Sequence, residues 1–291
     1  MTRAEERRLV QAARHGDRRA LSRLLTLLAK PVYRFGRGFC GDPDDAEDVT
    51  QTVLMALTRT LQSFRGDSSL TTWAYTVARH ACARHRRRRV GAPARLHSLE
   101  EGSLEQGPLA VQDPAQDPHL ALERLELSEA LQRAITTLPP AQREVLVLRD
   151  VEGLSAREVG EVLRLRERAV KSRLHRARVT LREMLAPWAA GLVPPGASPQ
   201  QGAPARRCPN TARLISRHLE GELSAEACDE LQRHVATCPA CGAACETLRL
   251  ALGTCRAWRG RTMPASVQTS VRSALRALVE ERAPRPSGRS A

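Results

Sequence analysis

Apolar side chains along this chain recur mostly every three or four residues, which is the period of an α-helix rather than that of a strand. Between residues 42 and 64 the apolar positions Val49, Val53, Leu57 and Leu61 repeat every fourth residue. Acidic residues at the start of that segment favour a helix N-terminus. Strand-like alternation is nearly absent, so the pattern predicts an all-α protein.

The 42–64 helix has a second, mostly polar face. Asp48, Gln51, Met55 and Arg59 lie away from the apolar stripe and remain free to meet a partner. This helix therefore has one side for a core and one side for binding.

Residues 65–89 start with a polar loop and continue as a helix, with Trp73, Val77 and Ala81 at i, i+4 spacing and four arginines at its end. So many arginines exceed what a helix C-terminus needs. A basic helix with aromatic rings near its start suits single-stranded DNA, because arginines hold phosphates and a ring can stack on bases. Trp73 and Tyr75 are also compatible with core positions, Tyr75 more so than Trp73, and the sequence leaves both placements open.

Residues 138–185 have the layout of a helix-turn-helix. Ser155 is a good N-cap and Glu158 completes a capping box, which predicts a helix over 155–163. A brief turn leads into a long helix from about Glu167. This helix is the second of the motif, the one that is available to the major groove. The inward face of that helix is formed by Val170, Leu174, Ala177 and Leu181. The residues that we expect to contact duplex DNA are Arg166, Arg168, Lys171, Ser172, Arg173, His175 and Arg176.

Charge supports a polyanionic partner. The 291 residues carry a net charge of +14, and Lys30 and Lys171 are the only lysines among 46 basic residues. Arginine grips phosphates and base edges two hydrogen bonds at a time. Such a charge favours nucleic acid or a membrane surface, although a merely solvated basic surface is the simpler alternative.

The distribution of charge and of Pro and Gly divides the chain. We expect domains at 1–90, 121–186 and 207–256, an acidic linker at 91–120, a Pro/Gly linker at 187–206, and an amphipathic helix with a tail at 257–291. The first two domains are basic, and the third is nearly neutral. The third therefore does not grip DNA itself.

No apolar run is long enough to span a membrane, and the N-terminus lacks the features of a secretion signal. We therefore expect a cytoplasmic protein without a membrane partner. In that compartment its eight cysteines favour metal binding or redox sensing over disulfides. Cys40, Cys82 and Cys228 are expected to pack as small hydrophobes. Cys245 and Cys255 remain open as core residues, redox partners, or ligands for a softer metal such as copper.

A metal site is predicted near the end of the chain. His234 and Cys238 are four residues apart on one helical face, Cys241 follows on the next turn, and Cys208 precedes the first helix of the pair. Three thiolates and one imidazole form a closed tetrahedral set suited to structural Zn²⁺. The two helices that carry them are expected to meet at a turn at Gly221.

The stretches DAEDVTQTVLMAL, FRGDSSLTTWAYTVAR, LPPAQREVLVLRDVEGLS and AVKSRLHRAR resemble the two conserved regions of extracytoplasmic-function (group 4) bacterial sigma factors. The resemblance covers roughly residues 20–90 and 125–185. It implies that the first region binds the β′ and β subunits of the RNA polymerase core and captures the −10 promoter element. The second region would recognise the −35 element in duplex promoter DNA.

The resemblance also implies roles for individual residues. The core-polymerase contacts would be Asp44, Asp45, Asp48, Gln51 and Met55. The −10 contacts would be Arg65, Ser68, Trp73, Arg79, His80, Arg86 and Arg87. The −35 contacts would be the seven residues of the helix-turn-helix that are named above as contacts with duplex DNA.

This chain departs from the family pattern at three positions. His80 and Arg84 replace the Asn and Asp of many relatives, which affects the −10 contacts. Arg164 stands in the turn of the helix-turn-helix where Gly is common, so we expect a slightly altered turn.

The segment 208–241 is similar to the zinc-binding anti-sigma domain family, including the HLEGELS stretch. This similarity implies a regulator fused to its own target and acting through an intramolecular contact with the sigma domains, in response to redox or metal stress. Whether it inhibits or activates is left open. The stripe Val267, Val271, Leu275 and Leu278 either docks on the sigma domains or completes the zinc domain.

Two other functions compete with a sigma factor. A stand-alone helix-turn-helix regulator with a structural zinc site needs neither the acidic-start helix nor the strand-capture segment. A thiol enzyme or metallohydrolase needs an open coordination position, and a four-ligand site provides none. We therefore expect a non-enzyme.

Overall fold

The structure is a computed structural model that describes residues 2–91, 118–189, 208, 210–260 and 263–281. All elements in these residues are helical, as predicted. They group into two compact units, which are Met1–Leu109 with Thr262–Ala291, and Ala110–Arg261. Both predicted linkers lie largely outside the described residues.

The first unit contains α1 (Arg3–Arg14), α2 (Arg18–Cys40), α3 (Pro43–Thr60), α4 (Leu70–Gly91) and α12 (Ala265–Glu281). Helix α3 begins as the acidic residues predict, because Asp42 caps it and accepts hydrogen bonds from the backbone N–H groups of Asp44 and Asp45. The predicted stripe on α3 is fully buried against α2 and α4. Gly36 permits the close approach of α2 and α3, since a Cβ there would lie 3.0 Å from the Cβ of Ala46.

Helix α4 buries one face in the first unit and leaves the opposite face partly open. Its buried face contains Leu70, Ala74, Ala78 and Ala81, whereas Trp73 and Val77 are only half-buried. Tyr75 is a core residue, 1% exposed and 5.4 Å from the Phe35 ring by centroids. Of the two aromatic residues, Trp73 alone retains a surface that can meet DNA.

A disulfide joins Cys40 at the end of α2 to Cys82 in α4. The expectation that these two cysteines pack as separate small hydrophobes is therefore wrong. The partners are 42 residues apart in the chain, and spacing over that distance does not show that their side chains converge. Closing such a loop restricts the unfolded chain and stabilises the α2–α4 packing.

The second unit contains α5 (Pro118–Thr137), α6 (Pro140–Leu146), α7 (Ala156–Leu163), α8 (Glu167–Ala189), α9 (Thr211–Leu219), α10 (Ala225–Thr237) and α11 (Pro239–Gly260). A π-helical turn, Val147–Val151, follows α6. The capping box of Ser155 and Glu158 is present. Helices α7 and α8 begin within a residue of the predicted positions, and the predicted inward face of α8 is fully buried.

Arg164 ends α7 in the left-handed conformation, with φ 55° and ψ 48°. It is the one non-glycine residue with positive φ among those described. The turn of the helix-turn-helix therefore has the left-handed backbone conformation that glycine adopts freely. Arginine adopts it at a conformational cost of about 1 kcal/mol.

Helices α9 to α11, with Cys208 before them, form what we call the Cys/His module. Asn210 and Ser224 cap α9 and α10, and Gly221 provides the predicted turn between them at φ 70°. The module has a small apolar core of Ile215, Leu231, Cys245, Leu248 and Leu252. Its helices α9 and α11 also pack on α8 within the same unit.

Helix α12 packs on α2 and α3 in the first unit. Val267, Val271 and Leu275 are buried there, while the side chain of Leu278 lies outside the described residues. The structure thus favours the first of the two alternatives for this stripe, docking on the sigma-like part of the chain.

Candidate nucleic-acid surfaces and metal centre

The four predicted metal ligands come together. One ligand atom from each of Cys208, His234, Cys238 and Cys241 lies within 4.8 Å of the others. Cys238 caps the end of α10, and Pro239 starts α11 directly after it, so the chain folds back and brings Cys241 to the same point. Cys208 reaches them from the segment that precedes α9.

The geometry fits a tetrahedral metal ion. The Sγ atoms of Cys208 and Cys238 are 3.8 Å apart, and two thiolates on one zinc ion with bonds of about 2.3 Å are about 3.8 Å apart. The buried Nε2 of His234 has no hydrogen-bond partner. A buried unpaired nitrogen is costly unless a ligand occupies it, so this atom fits a coordination role. Thr211 Oγ1 donates to Cys241 Sγ at 3.2 Å and orients that ligand.

The thiols of this set differ in acidity. Desolvation and hydrogen bonds with Cys238 and Cys241 raise the pKa of Cys208 to about 11. The backbone N–H of Cys241 lowers the pKa of Cys238. Because a metal binds thiolates, it must displace the Cys208 proton, and metal affinity should fall as the pH falls.

The helix-turn-helix presents only part of its predicted DNA surface. Arg166, Arg168, Ser172 and Arg176 are exposed on or just before α8. Lys171, Arg173 and His175 are half-buried. Lys171 is paired with Glu222 in the turn after α9, and Arg213 of α9 lies close enough to His175 to affect its charge.

That turn, residues 220–222, is the acidic turn. Glu222 forms an ion pair with Lys171, and this hydrogen bond raises the pKa of Lys171. Glu220 is a nearly buried carboxylate that binds Arg149 Nε at 3.1 Å and Arg178 Nη2 at 3.0 Å. Two carboxylates of the Cys/His module thus neutralise cations of the helix-turn-helix.

Arg178 is the centre of this contact. It is 3% exposed and binds Asp150 with two hydrogen bonds of 2.6 and 2.9 Å, while its Nη1 donates to Ser216 Oγ at 3.1 Å. Burial opposes its charge, but Asp150 and Glu220 outweigh that and raise the pKa of Arg178. A buried cation with this many partners fixes the position of α9 on α8.

Helix α11 extends the contact. Trp258 Nε1 donates to Ser128 Oγ at 3.2 Å, and Arg259 Nε donates to the carbonyl of Val151 at 3.0 Å. Cys255 is fully buried, and burial raises the pKa of its thiol. The structure therefore places Cys255 and Cys245 in cores, which was one of the alternatives left open.

His175 faces this interface as a neutral base. Burial, and then the positive charge of Arg213 on α9, lower its pKa, and Arg178, Arg176 and Arg182 act in the same direction. Its Nδ1 is buried without a hydrogen-bond partner.

Acidification should weaken the contact between α9 and α8. The pKa of His175 in the closed structure lies below its ordinary value of 6.5, so opening takes up a proton. The closed state is therefore most stable above about pH 6.5, and it loses stability as the pH falls towards the lowered pKa. We expect amide protection in α9, corrected for intrinsic exchange, to be lower at pH 5.5 than at pH 7.5. His175→Gln should abolish most of this dependence and the exposed His15→Gln should not; equal pH dependence in both variants would contradict the role of His175.

The predicted polymerase-binding face of α3 is partly covered. Asp44, Asp48 and Met55 are exposed. Asp45 is placed differently from the expectation, because it is buried and pairs with His85 Nδ1 at 3.3 Å. Gln51 is half-buried and donates to Ser270 Oγ of α12 at 3.2 Å.

The predicted −10 residues are dispersed over the start and the outer side of α4. Arg65, His80 and Arg87 are exposed, and Ser68, Trp73 and Arg79 are half-buried. The side chain of Arg86 lies outside the described residues.

Sequence reasoning missed the residues that join the Cys/His module to the helix-turn-helix, namely Arg149, Asp150, Arg178, Ser216, Glu220 and Glu222. The signal available was the pair of glutamates around Gly221 in an otherwise nearly neutral module. That signal indicates an acidic surface but does not identify its partner.

Three family models match parts of this chain: sigma-70 region 2 at residues 24–91, sigma-70 region 4 at 128–181, and a zinc-finger family at 208–242. The RNA polymerase sigma-H factor of Pseudomonas aeruginosa is 31% identical over 192 residues, which cover 64% of this chain and 97% of that protein. The chain belongs to the sigma-70 family, in its extracytoplasmic-function group. This sigma factor directs RNA polymerase to specific promoters for the initiation of transcription, and its zinc-finger region fits a regulatory C-terminal domain.

A second relative agrees. The sigma factor is 28% identical to the ECF sigma factor SigW of Bacillus subtilis, over 60% of this chain and 94% of the relative. The solved structure of the sigma factor RpoE of Bartonella quintana, in complex with the anti-sigma factor NepR, aligns with a TM-score of 0.42 and 24% identity over 56% of this chain and 94% of that chain.

Among the helices described, none combines the length and apolar character needed to cross a bilayer.

Proposed function

We propose that this sigma factor is held in a masked state by its own C-terminal part. The Cys/His module would cover part of the helix that contacts the −35 element, and α12 would cover part of the face of α3 that binds the polymerase core. The observation that supports this most directly is the acidic turn, whose Glu220 and Glu222 are paired with Arg178 and Lys171.

The chemistry of the acidic turn matches that of a phosphate backbone. Lysine and arginine on a recognition helix contact DNA phosphates, and each such contact contributes affinity by releasing counterions. A carboxylate that holds the same cation occupies it before DNA arrives. Lys171 and the neighbouring His175 can then reach DNA only after α9 moves away.

The exposed cations Arg166, Arg168 and Arg176 remain available while the module is closed. A masked chain can therefore still form weak, nonspecific contacts with DNA, because charge alone supports these. Specific contacts to base edges need the whole first part of α8 in the major groove. Masking thus lowers specific affinity more than nonspecific affinity.

The polymerase face is masked by a different element. Gln51 is hydrogen-bonded to Ser270, and α12 buries Val267, Val271 and Leu275 against α2 and α3. Met55 and Leu27 remain exposed, at 38% and 41%. Met55 lies one turn after Gln51 on α3 and is suited to contact a larger partner that displaces α12.

The promoter −10 element would be captured by the outer side of α4, through Trp73, Arg79, His80 and the basic end of the helix. A half-buried Trp ring supported by the core can stack on an extruded base, and stacking contributes about 1–3 kcal/mol per base. That is comparable with the stacking lost per opened base-pair step. No nucleotide hydrolysis is then needed.

The metal in the Cys/His module would be Zn²⁺, because three sulfurs and one nitrogen in a closed set are typical of structural zinc. The small core of the module makes its fold dependent on that ion. Redox or metal stress that removes the ion would release both α9 and the acidic turn. The module would in this way convert a chemical signal into exposure of the −35 helix.

Displacement of α12 tests the masking of the polymerase face. Val271→Asp places a charge in the buried contact, and we expect about tenfold tighter binding to core RNA polymerase, a change of about 1.4 kcal/mol. The control is Ser273→Asp, which adds the same charge at an exposed position of the same helix. Binding is measured by titrating labelled chain with core polymerase. Equal affinity for the two variants would refute masking by α12, and failure of every variant to bind core polymerase would refute the function as a whole.

A further inference from the structure

The Cys/His module contains a second group of reactive side chains that the metal site does not use. A cavity of about 580 Å³ lies among α9, α10 and α11. His218, Cys228 and Cys245 border it. Most of the remaining lining is apolar and comes from Ile215, Leu219, Leu231, Val235, Leu248 and Leu252.

Cys228 and His218 form a nucleophile–base pair. The Sγ of Cys228 lies 3.2 Å from Nδ1 of His218, and the two residues come from α10 and α9 on either side of the Gly221 turn. Cys228 is partly exposed, so small molecules can reach it. A thiol is nucleophilic as the thiolate, and an adjacent imidazole can accept its proton.

Cys245 differs from Cys228 in environment. It is 7% exposed within the apolar core, and burial raises the pKa of its thiol. It remains protonated and unreactive. The cavity therefore contains one accessible thiol beside an imidazole, Cys228, and one buried thiol, Cys245, which gives the site a defined point of attack.

We propose that this cavity is a covalent modification site for apolar carbon electrophiles, such as quinones and α,β-unsaturated carbonyl compounds. The cavity volume lies in the range of sites for small organic ligands, about 300–1,000 Å³. Apolar walls favour an apolar ring over a hydrophilic reagent. Arg256 borders the same space and supplies a positive charge for an oxyanion.

The reaction is a conjugate addition. The sulfur of Cys228 forms a C–S bond with the β-carbon, while the C=C π electrons move to the carbonyl oxygen and give an enolate. The thiol proton passes to His218 and from there to the enolate. No atom is lost and no oxidant is required; with a quinone the product is an S-substituted hydroquinone.

An adduct in this cavity would weaken the masking contact between the acidic turn and the helix-turn-helix. This expectation rests on the proposed function. His218 is on α9, two residues before Glu220, which binds Arg149 and Arg178. Addition at Cys228 consumes the thiol that is hydrogen-bonded to His218 and so breaks this link between α10 and α9. We expect its loss to loosen α9 and with it the acidic turn.

The test uses the full-length, zinc-loaded chain and two probes, 1,4-naphthoquinone and the hydrophilic electrophile acrylamide. Each rate at Cys228, followed by peptide mass spectrometry, is divided by the rate of the same probe with glutathione. We expect this ratio to be at least tenfold higher for naphthoquinone. His218→Gln should lower the naphthoquinone rate at least tenfold, and the exposed His15→Gln should leave it unchanged.

Two outcomes would overturn the site. One is a naphthoquinone ratio no higher than that of acrylamide. The other is addition mainly at Cys208, Cys238 or Cys241 with release of zinc. Both are observed on the wild-type chain and do not depend on any variant folding.

Amide protection in α9 is measured on the adduct separately: a decrease supports the coupling to the acidic turn, and no change refutes the coupling. Neither readout involves polymerase or DNA, so failure of this site is distinguishable from failure of the masking proposal.

Discussion

Replacing Glu220 by glutamine should raise the affinity of the full chain for promoter −35 DNA about thirtyfold. The side chain of Glu220 is 5% exposed and its carboxylate binds both Arg149 and Arg178. Hydrogen bonds to charged groups contribute about 1.5–3 kcal/mol each, and loss of about 2 kcal/mol from the closed state increases the open population about thirtyfold. The measurement is a fluorescence anisotropy titration with a duplex selected from a random pool by the chain ending at residue 189.

The matched control is Glu230→Gln, which removes the same charge from an exposed position of α10 in the same module. It changes the net charge equally, so any general electrostatic effect on DNA binding appears in both variants. Equal affinities for Glu220→Gln and Glu230→Gln would show that the acidic turn does not mask α8.

Removing the metal should unfold the Cys/His module. Structural zinc contributes about 10–16 kcal/mol in small zinc domains, and the apolar cluster that joins α9, α10 and α11 contains five buried residues. We expect chelation, or Cys238→Ser, to reduce the helical circular dichroism signal and to abolish amide protection in α9 and α10. The helices of the first unit should keep their amide protection, because their core contains no part of the metal set.

Cys228→Ser is the control for this experiment, because Cys228 is outside the metal set. It should retain one zinc per chain and a folded module. Unchanged helicity and protection after complete removal of the metal would show that the module does not depend on the ion.

The local features of this fold were predictable from the sequence. The stripe from Val49 to Leu61 and the capping box at Ser155 depend on spacings of three or four residues, which the helix geometry translates directly into contacts. The metal set followed for the same reason, since His234, Cys238 and Cys241 lie within two turns of chain. Cys208 was the exception, and the chemistry of a four-ligand site supplied it.

The long-range contacts were not predictable in this way. Arg178 and Glu220 are 42 residues apart and Gln51 and Ser270 are 219 apart. A periodic pattern shows that a helix has an apolar or charged face but not which element covers it. Tyr75 and Trp73 show a second limit: successive positions on a helix turn by about 100°, and the spacing alone left each ring free to face either the core or the surface. Cys40 and Cys82 show the same limit for a covalent bond.

The pairing of Glu220 with Arg178 joins two parts of a single polypeptide. A separate anti-sigma protein and its target dissociate on dilution, and the bound share depends on how much of each the cell makes. Under the proposed masking, the ratio of blocker to target would be one to one in every molecule, and the closed share would not depend on copy number or gene dosage. Output from such a factor would follow the chemical state of its own tail, so a cell with few copies and a cell with many copies would open the same proportion of them.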